Sequence, residues 1–403
     1  MRVLFINRFF HPDQSATAQL LTELTEDFDG FGASVTVITG RVDYLGNGTL
    51  LPPRGMHKGI EIRRVRSTSF DRGGFFGRFL DYLSFYVAAG WSAVWCKPCD
   101  YLVVLSDPPL LSILAVVLRT VKRCKAVCWL QDVFPEIALR AGVLPEGIVA
   151  RVLRRLAIWS LQHVERTIVI GRCMEQYLHS QGIPSGKLKL IPNWTDGSHI
   201  QPVNRQENWF LEKHGLDRRF VVMYSGNFGR VHECETITAM VRAARSEQEI
   251  RFCFIGKGCH REGLAELART EGWNHVLFLP HQEREMMRLV LPGGDVHLVS
   301  LRADMAGLSV PSKLYGIMAA GRPIIFIGPR ESEAGAVIRE ADCGYVIAPG
   351  SGDEALEALL AYVHNSDLVE RHGQNARSFL ERNYDRCILT RRFWDRLGEL
   401  QIT

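Results

Sequence analysis

No run of about 20 uninterrupted apolar residues, the length of a membrane-spanning helix, occurs in this 403-residue chain. The nearest approach, Leu80 to Trp95, is too short and carries Asp81. A strong excess of one charge is missing too: 48 Lys+Arg against 44 Asp+Glu leave a formal net charge of +4. That excludes the dense basic surface of a nucleic-acid binder. A disulfide framework is absent: the ten cysteines are scattered, several inside apolar runs (Cys124, Cys128, Cys253), as buried thiols are in a reducing compartment. Cys96-Lys97-Pro98-Cys99 is a lone CxxC ahead of a strand, with no second pair to complete a zinc site. A structural role is expected for it, and no metal ligands are assigned. With a strand candidate starting at Arg2, no secretory leader is expected. The expected location is cytoplasmic, with peripheral contact at the inner face of the plasma membrane.

What remains is strong α/β patterning. The composition, 46% hydrophobic and 23% charged, is globular, and the length suggests two domains. Residues 1–200 hold 23 Lys+Arg against 17 Asp+Glu, while the remainder holds 25 against 27. The mildly basic first half favours an anionic acceptor or a membrane surface there. Short β-rich runs alternate with helical patterns, as in parallel sheets with crossover helices. Strands are expected at 3–7, 35–39, 60–66, 101–105, 125–130, 166–170 and 188–191. They are expected again at 220–226, 250–255, 275–279, 295–300, 323–327 and 344–348. Ile191-Pro192-Asn193-Trp194-Thr195-Asp196-Gly197-Ser198 is rich in turn formers and marks a hinge, followed by a polar helix near 204–214. The expected domains are 1–195 and 196–384, with a last helix in 385–403.

Several strand ends carry polar or glycine-bearing loops, where ligands of doubly wound sheets bind. The first is Arg8-Phe9-Phe10-His11-Pro12-Asp13-Gln14-Ser15, and strand 125–130 runs into Gln131-Asp132. In the second half, Gly226-Asn227-Phe228-Gly229-Arg230 and Gly256-Lys257-Gly258 would let a backbone approach a phosphate. Leu308 to Ile325 has the pattern of a loop, a helix start at Pro311-Ser312, a stop at Gly321-Arg322-Pro323 and a buried strand. Ser312 is the expected N-cap. Val310, Pro311, Ser312 and the Lys313 ammonium suit a diphosphate, although an ordinary αβ connection has the same pattern.

The order of Phe9-Phe10-His11-Pro12-Asp13, Trp129 to Glu136, Ile191-Pro192-Asn193, Gly226-Asn227-Phe228-Gly229, Ile255-Gly256-Lys257-Gly258 and Pro311-Ser312-Lys313 through Pro323 resembles glycosyltransferase family 4. The branch it is most similar to builds bacterial surface polysaccharides on lipid-linked sugars. The resemblance implies a GT-B fold: two Rossmann-like doubly wound α/β domains facing across a cleft. It implies a retaining, metal-independent, hexosyltransferase-type enzyme that needs no cofactor beyond its nucleotide-sugar donor, expected to be a UDP-sugar. The C-terminal domain would hold the donor and the N-terminal domain a soluble or polyprenyl-diphosphate-linked sugar acceptor. The last helix, about 386–400, would cross back to the first domain through Phe393 and Trp394.

Carried onto this chain, the family pattern makes Asp132, Arg230 and Lys313 the candidate catalytic residues. Gly226, Asn227, Gly229, His232, Gly256, Lys257, Val310, Pro311, Ser312 and Gly316 form the donor site, with His232 adding a hydrogen-bond donor. His11, Asp13, Ser15 and Gln131 line the acceptor side. Asp132 has a second reading, as a helix N-cap ahead of Pro135. Two glutamates usual in the family fall at Leu308 and Gly316; losing the second should weaken ribose binding by roughly 1.5–3 kcal/mol. Gly316→Glu would then tighten nucleotide binding. On the acceptor side, aromatics from Phe75 to Tyr86 with Arg72 and Arg78, and the basic, apolar stretch Arg151 to Trp159, suggest an interfacial surface. Helices packed on the sheet with solvated arginines fit equally. Two other classes share the fold: a catalytically weak or silent scaffold, consistent with Leu308 and Gly316, and a sugar-nucleotide epimerase. The latter needs paired acidic and histidine groups, for which only His11 and Asp132 come near.

Overall fold

The computed structural model describes residues 1–42, 50–70 and 75–401, apart from the side chains of Phe75, Phe76 and Gln401. Arg72 therefore lies outside the described residues. The chain divides into two compact units: 1–192 with 307–309 and 387–403, and 193–306 with 310–386.

The first unit is built on β1 (Arg2–Ile6), β2 (Ser34–Gly40), β3 (Arg54–His57), β4 (Ile60–Val65), β5 (Tyr101–Val104), β6 (Lys125–Leu130), β7 (Arg166–Val169) and β8 (Leu188–Leu190). They form one sheet in the order β3-β4-β2-β1-β5-β6-β7-β8. All neighbours are parallel except the β3–β4 pair at the edge. The sheet is flanked by α1 (Ala16–Gly30), α2 (Phe75–Val94), α3 (Leu111–Lys122), α4 (Glu136–Arg140), α5 (Ile148–His163) and α6 (Arg172–Ser180). The seven strands expected in this half are present within a residue or so. The polar edge strand β3, with its exposed Arg54 and Met56, shows no apolar alternation and was not anticipated.

The second unit repeats the design with β9 (Phe220–Ser225), β10 (Ile250–Ile255), β11 (Val276–Leu279), β12 (Val296–Ser300), β13 (Ile324–Ile327) and β14 (Gly344–Ile347). The order β11-β10-β9-β12-β13-β14 is wholly parallel. Around it lie α7 (Trp209–Lys213), α8 (Glu235–Ala243), α9 (Cys259–Thr270), α10 (Met287–Gly293), α11 (Lys313–Ala319), α12 (Glu333–Glu340), α13 (Gly352–Val363) and α14 (Ser366–Asn383). The polar helix expected at 204–214 is a short 3-10 turn followed by α7. β13 shows why such strands read as continuous apolar runs: helices cover both faces, and all four of its side chains are buried.

α15 (Arg386–Gly398) is the last α-helix among the described residues, and from Cys387 onward it belongs to the first unit. Phe393 is fully buried there, edge-on to Phe28 at 6.0 Å and to Trp129 at 5.3 Å. Trp394 meets Phe28 at 5.3 Å and Phe31 at 5.4 Å. Phe393→Ala should destabilise the protein by about 3–5 kcal/mol, read as a lowered midpoint in urea unfolding.

All ten cysteines are free thiols. Cys96 and Cys99 are buried, and the Cys99 thiol is hydrogen-bonded to Cys124, which accounts for the CxxC as packing.

Candidate functional site

In the second sheet the strand order reverses between β9 and β12, and the crevice outside such a switch point is where doubly wound sheets bind ligands. Lys313 opens α11 beside the carboxyl end of β9. Its ammonium lies 3.6 Å from the centroid of the Tyr224 ring, and its Nζ is buried with no hydrogen-bond partner. Burial lowers its pKa from the usual 10.5 to about 7, against a small opposing effect of the Cys234 thiol. The aromatic face compensates only in part for lost hydration. An ammonium held this way has its hydrogen-bonding capacity in reserve for an anion.

The loops after β9 and β10 are laced together. Gly226 N–H donates to Ile255 O (2.9 Å), and Phe228 N–H donates to Lys257 O (2.8 Å). Gly256 has φ +133°, and a Cβ there would lie 2.0 Å from the Gly226 carbonyl oxygen; one at Gly258 would lie 2.5 Å from Phe228 O. These glycines thus let one loop backbone touch the other, where the sequence pattern suggested an approach to phosphate. Gly226 has a second neighbour: a Cβ on it would sit 3.4 Å from the Lys313 Cε. Its lack of a side chain leaves the lysine stem its path across the Tyr224 ring.

His232 contributes differently from the expectation. Its Nδ1 donates to the Ser300 carbonyl at 2.8 Å, since a carbonyl can only accept. Burial, reinforced by the Lys313 charge, depresses its pKa to about 3. The ring is neutral, and its Nε2 is left an acceptor, so it adds no donor for a phosphate. Arg230, Asn227 and Lys257 are exposed on these loops. Arg302, absent from the expected set, donates from its backbone to Val231 O (3.0 Å) and from its guanidinium to Arg230 O (3.2 Å) and Asp304 (2.8 Å). It clamps the loop that carries Arg230.

The expected cap at Ser312 does not form. Ser312 has φ −64° and ψ −23°, already helical, and its side chain makes no capping bond. A cap must be extended for its hydroxyl to reach back to the first turn; here the preceding Pro311 leads straight into the helical path. Val310 and Pro311 are buried and shape the loop rather than present side chains. Gly316 is buried in α11, where a Cβ would approach Leu291 Cδ1 to 3.1 Å. A glutamate there starts against the core, so Gly316→Glu must first displace Leu291 before it can strengthen any ribose contact.

In the first sheet the switch point lies between β1 and β5. Asp107, just beyond β5, was not among the expected residues, although Ser106-Asp107-Pro108-Pro109 is a strand-end turn of the kind that identified Asp132. Arg8 N–H donates to the Asp107 carbonyl at 2.8 Å. The Asp107 carboxyl is pushed up to about 6 by burial, lowered by the Arg8 charge, and raised again by Asp132 and Asp13. Burial likewise raises the Asp132 pKa from its usual value, against a hydrogen bond from Ser309 that lowers it. Asp132 does not cap α4, whose N-cap position is Pro135. Arg8, Asp132 and Asp13 thus all act electrostatically on Asp107, and Asp13 Oδ1 accepts the Ser15 N–H at 2.7 Å. Gln131 N–H donates to Ser106 Oγ at 3.1 Å, while the Ser15 hydroxyl is buried without a partner.

His11 is drawn elsewhere. Its ring stacks on His57 at 3.9 Å, and His57 meets Glu26 at 2.8 Å. Burial, then the His57 and Arg64 charges, lower the His11 pKa. The acidic group that acts on it is Glu26, not the Asp132 that an epimerase reading would pair with it. Among the described residues, no group of three or more His, Cys, Asp and Glu could hold a metal ion.

Residues 16–194 match the glycosyl transferase 4-like domain, and residues 207–379 match glycosyl transferases group 1. The probable glycosyltransferase WbjE of Pseudomonas aeruginosa is 31% identical over 294 residues, 72% of this chain and 73% of that protein. The putative colanic acid biosynthesis glycosyl transferase WcaI of Escherichia coli K12 is 26% identical over 67% of this chain and 66% of its own length. Among solved structures, Anabaena HepE in complex with UDP superposes with a TM-score of 0.75 at 13% identity, over 99% of this chain and 100% of that one. HepE has also been solved with UDP-glucose. The lipopolysaccharide glycosyltransferase WaaG gives a TM-score of 0.71 at 15% identity, over 98% and 99% of the two chains.

Proposed function

We propose a reaction on the premise that this chain belongs to the glycosyltransferases built from a glycosyl transferase 4-like domain and a glycosyl transferases group 1 domain, with a GT-B fold and a place in polysaccharide biosynthesis. The reaction is retaining, metal-independent transfer of a hexosyl group from a UDP-sugar to a polyprenyl-diphosphate-linked sugar. The second unit is the donor domain and the first the acceptor domain. UDP as the nucleotide is supported by the ligands of the HepE structures.

One observation carries this reading: the buried, unpartnered Lys313 ammonium at the switch point of the second sheet. As the sugar–phosphate bond breaks, negative charge collects on the diphosphate and positive charge on the anomeric carbon. A cation already in place at the diphosphate lowers that barrier without reorganising. Lys313 supplies it, and Arg230, on the loop clamped by Arg302, adds a second cation from the solvent side. With the leaving phosphate stabilised, it can take the acceptor hydroxyl's proton during attack on the same face, which keeps the anomeric configuration. On the acceptor side Asp132 and Asp107 lie in surroundings that raise their pKa values, which suits hydrogen bonding to sugar hydroxyls. His11 is peripheral to this chemistry.

Titration with UDP-, GDP- and ADP-sugars tests the proposal. One UDP-sugar should bind and be turned over, with EDTA leaving the rate unchanged; binding to none of the panel would leave the silent-scaffold reading, which the buried Gly316 and Leu308 favour. Arg230→Ala should lower turnover at least tenfold, equivalent to roughly 1.4 kcal/mol of transition-state stabilisation. A wild-type rate would remove Arg230 from the diphosphate site.

A further inference from the structure

α2 is apolar on two sides, and the fold covers only one. Its inward stripe, Asp81, Phe85, Ala89 and Ala93, is buried. Its outward stripe, Phe79, Leu83, Val87 and Trp91, is exposed, Phe79 to 51% and Trp91 to 68%. Just beyond the helix Trp95 is 70% exposed and meets Trp91 edge-on at 5.9 Å. A surface helix normally turns charged residues outward; here the outward residues are large and apolar.

Two neighbouring helices extend the same face. Gly90 of α2 packs close to Leu114 of α3, and the hydroxyls of Ser112 and Ser160, 2.7 Å apart, join α3 to α5. α3 exposes Val117 and Val121, while α5 exposes Ile148, Val152 and Trp159. Scattered exposed apolar residues are ordinary, but three adjacent helices that each expose such a stripe form a patch that marks an interaction surface.

The charges on these helices say what kind of partner fits. α2, α3 and α5 together carry six Lys+Arg and a single acidic residue, Asp81, which is buried. Arg78, Arg151 and Arg155 are exposed beside the apolar stripes. A second copy meeting this face would bring arginine against arginine. An anionic lipid surface satisfies both features, receiving the apolar stripes at the acyl boundary and the arginines among the headgroups. Among the described residues, no helix is long and apolar enough to cross a membrane, and α2, with one stripe committed to the core, is suited to lie in the surface plane.

We propose that the α2–α3–α5 face seats this protein on an anionic membrane surface, with Trp91, Trp95 and Trp159 at headgroup level. The proposal deepens the acceptor side of the activity reading by naming the partner surface, and it does not rest on the donor chemistry.

Flotation of the full chain with phosphatidylcholine vesicles, with and without 30% phosphatidylglycerol, is the test. Wild-type protein should float with the anionic vesicles and be released by high salt. Val87→Gln with Trp91→Gln should lower vesicle affinity at least about tenfold, and Arg151→Gln with Arg155→Gln should remove the preference for phosphatidylglycerol. All these residues are exposed, so far-UV circular dichroism and unfolding midpoints should match wild type. Failure of wild type to float at low salt, or wild-type flotation by both double variants, overturns the proposal. So does a stable dimer in light scattering that Val87→Gln with Trp91→Gln splits, since the face would then belong to a second copy. UDP-sugar titration of the same samples judges the activity separately: flotation without nucleotide binding upholds the membrane surface and overturns only the enzyme.

Discussion

Lys313→Ala should lower kcat about 10²–10³-fold, the usual effect of removing one preorganised donor from a developing oxyanion. The effect should exceed that of Arg230→Ala because the Lys313 ammonium is buried and so is less screened by water. The pH dependence should identify the group. With a pKa of about 7, Lys313 is charged below that value and increasingly neutral above it. A diphosphate binds the charged form, so donor binding above pH 7 takes up a proton and affinity falls as pH rises, by up to tenfold per unit. Lys313→Arg keeps its charge and should flatten this profile even if it binds less well. Stability should respond in the opposite sense. Between about pH 7 and 10.5 the unfolded chain holds this proton and the fold does not, so the group makes stability rise with pH across that window. Calorimetric titration of UDP at several pH values, in buffers of different ionisation enthalpy, would count the proton directly. A wild-type rate in Lys313→Ala, or a UDP affinity flat from pH 6 to 9, would refute the assignment.

The second large effect is expected at Gly256. An alanine there would place its Cβ 2.0 Å from the Gly226 carbonyl, with φ at +133°. Both obstacles are backbone, so neither can be relieved by a rotamer change. Gly256→Ala should destabilise the second unit by about 3 kcal/mol or more. It should also weaken UDP-sugar binding, because the displaced loop is the one that makes room for Lys313. Gly263→Ala is the control. Nothing lies within 4 Å of its Cβ position on α9, and the change should stabilise by about 0.5–1 kcal/mol. Equal unfolding midpoints for Gly256→Ala and wild type would show that the two loops are not held against each other as described.

The glycines, the cap and the histidines mark where reading from sequence stopped. Gly226, Gly256 and Gly258 stand out as turn glycines in the amino-acid order, but only packing shows that they face another loop. Ser312 has the chemistry of a cap, and its backbone angles deny it that role. His11 and His232 stand at strand ends like ligand-binding residues; one stacks on His57 and the other donates its Nδ1 hydrogen bond to the Ser300 carbonyl. Asp107 follows the same strand-end pattern as Asp132, with the two prolines after it masking that pattern.

The alternation of apolar runs with helical patterns was enough to establish two α/β sheets, the places of nearly all their strands, and the loops at the carboxyl ends. These features depend on local periodicity and on burial from both faces, which a chain carries in its own order. The strand order within each sheet, and hence the switch points beside Lys313 and Asp107, depended on pairings between distant segments. So did the charge state of each candidate. A lysine is an ordinary cation until Tyr224 and the surrounding core take its water away, and α2 is an ordinary apolar helix until the fold leaves one of its two stripes uncovered.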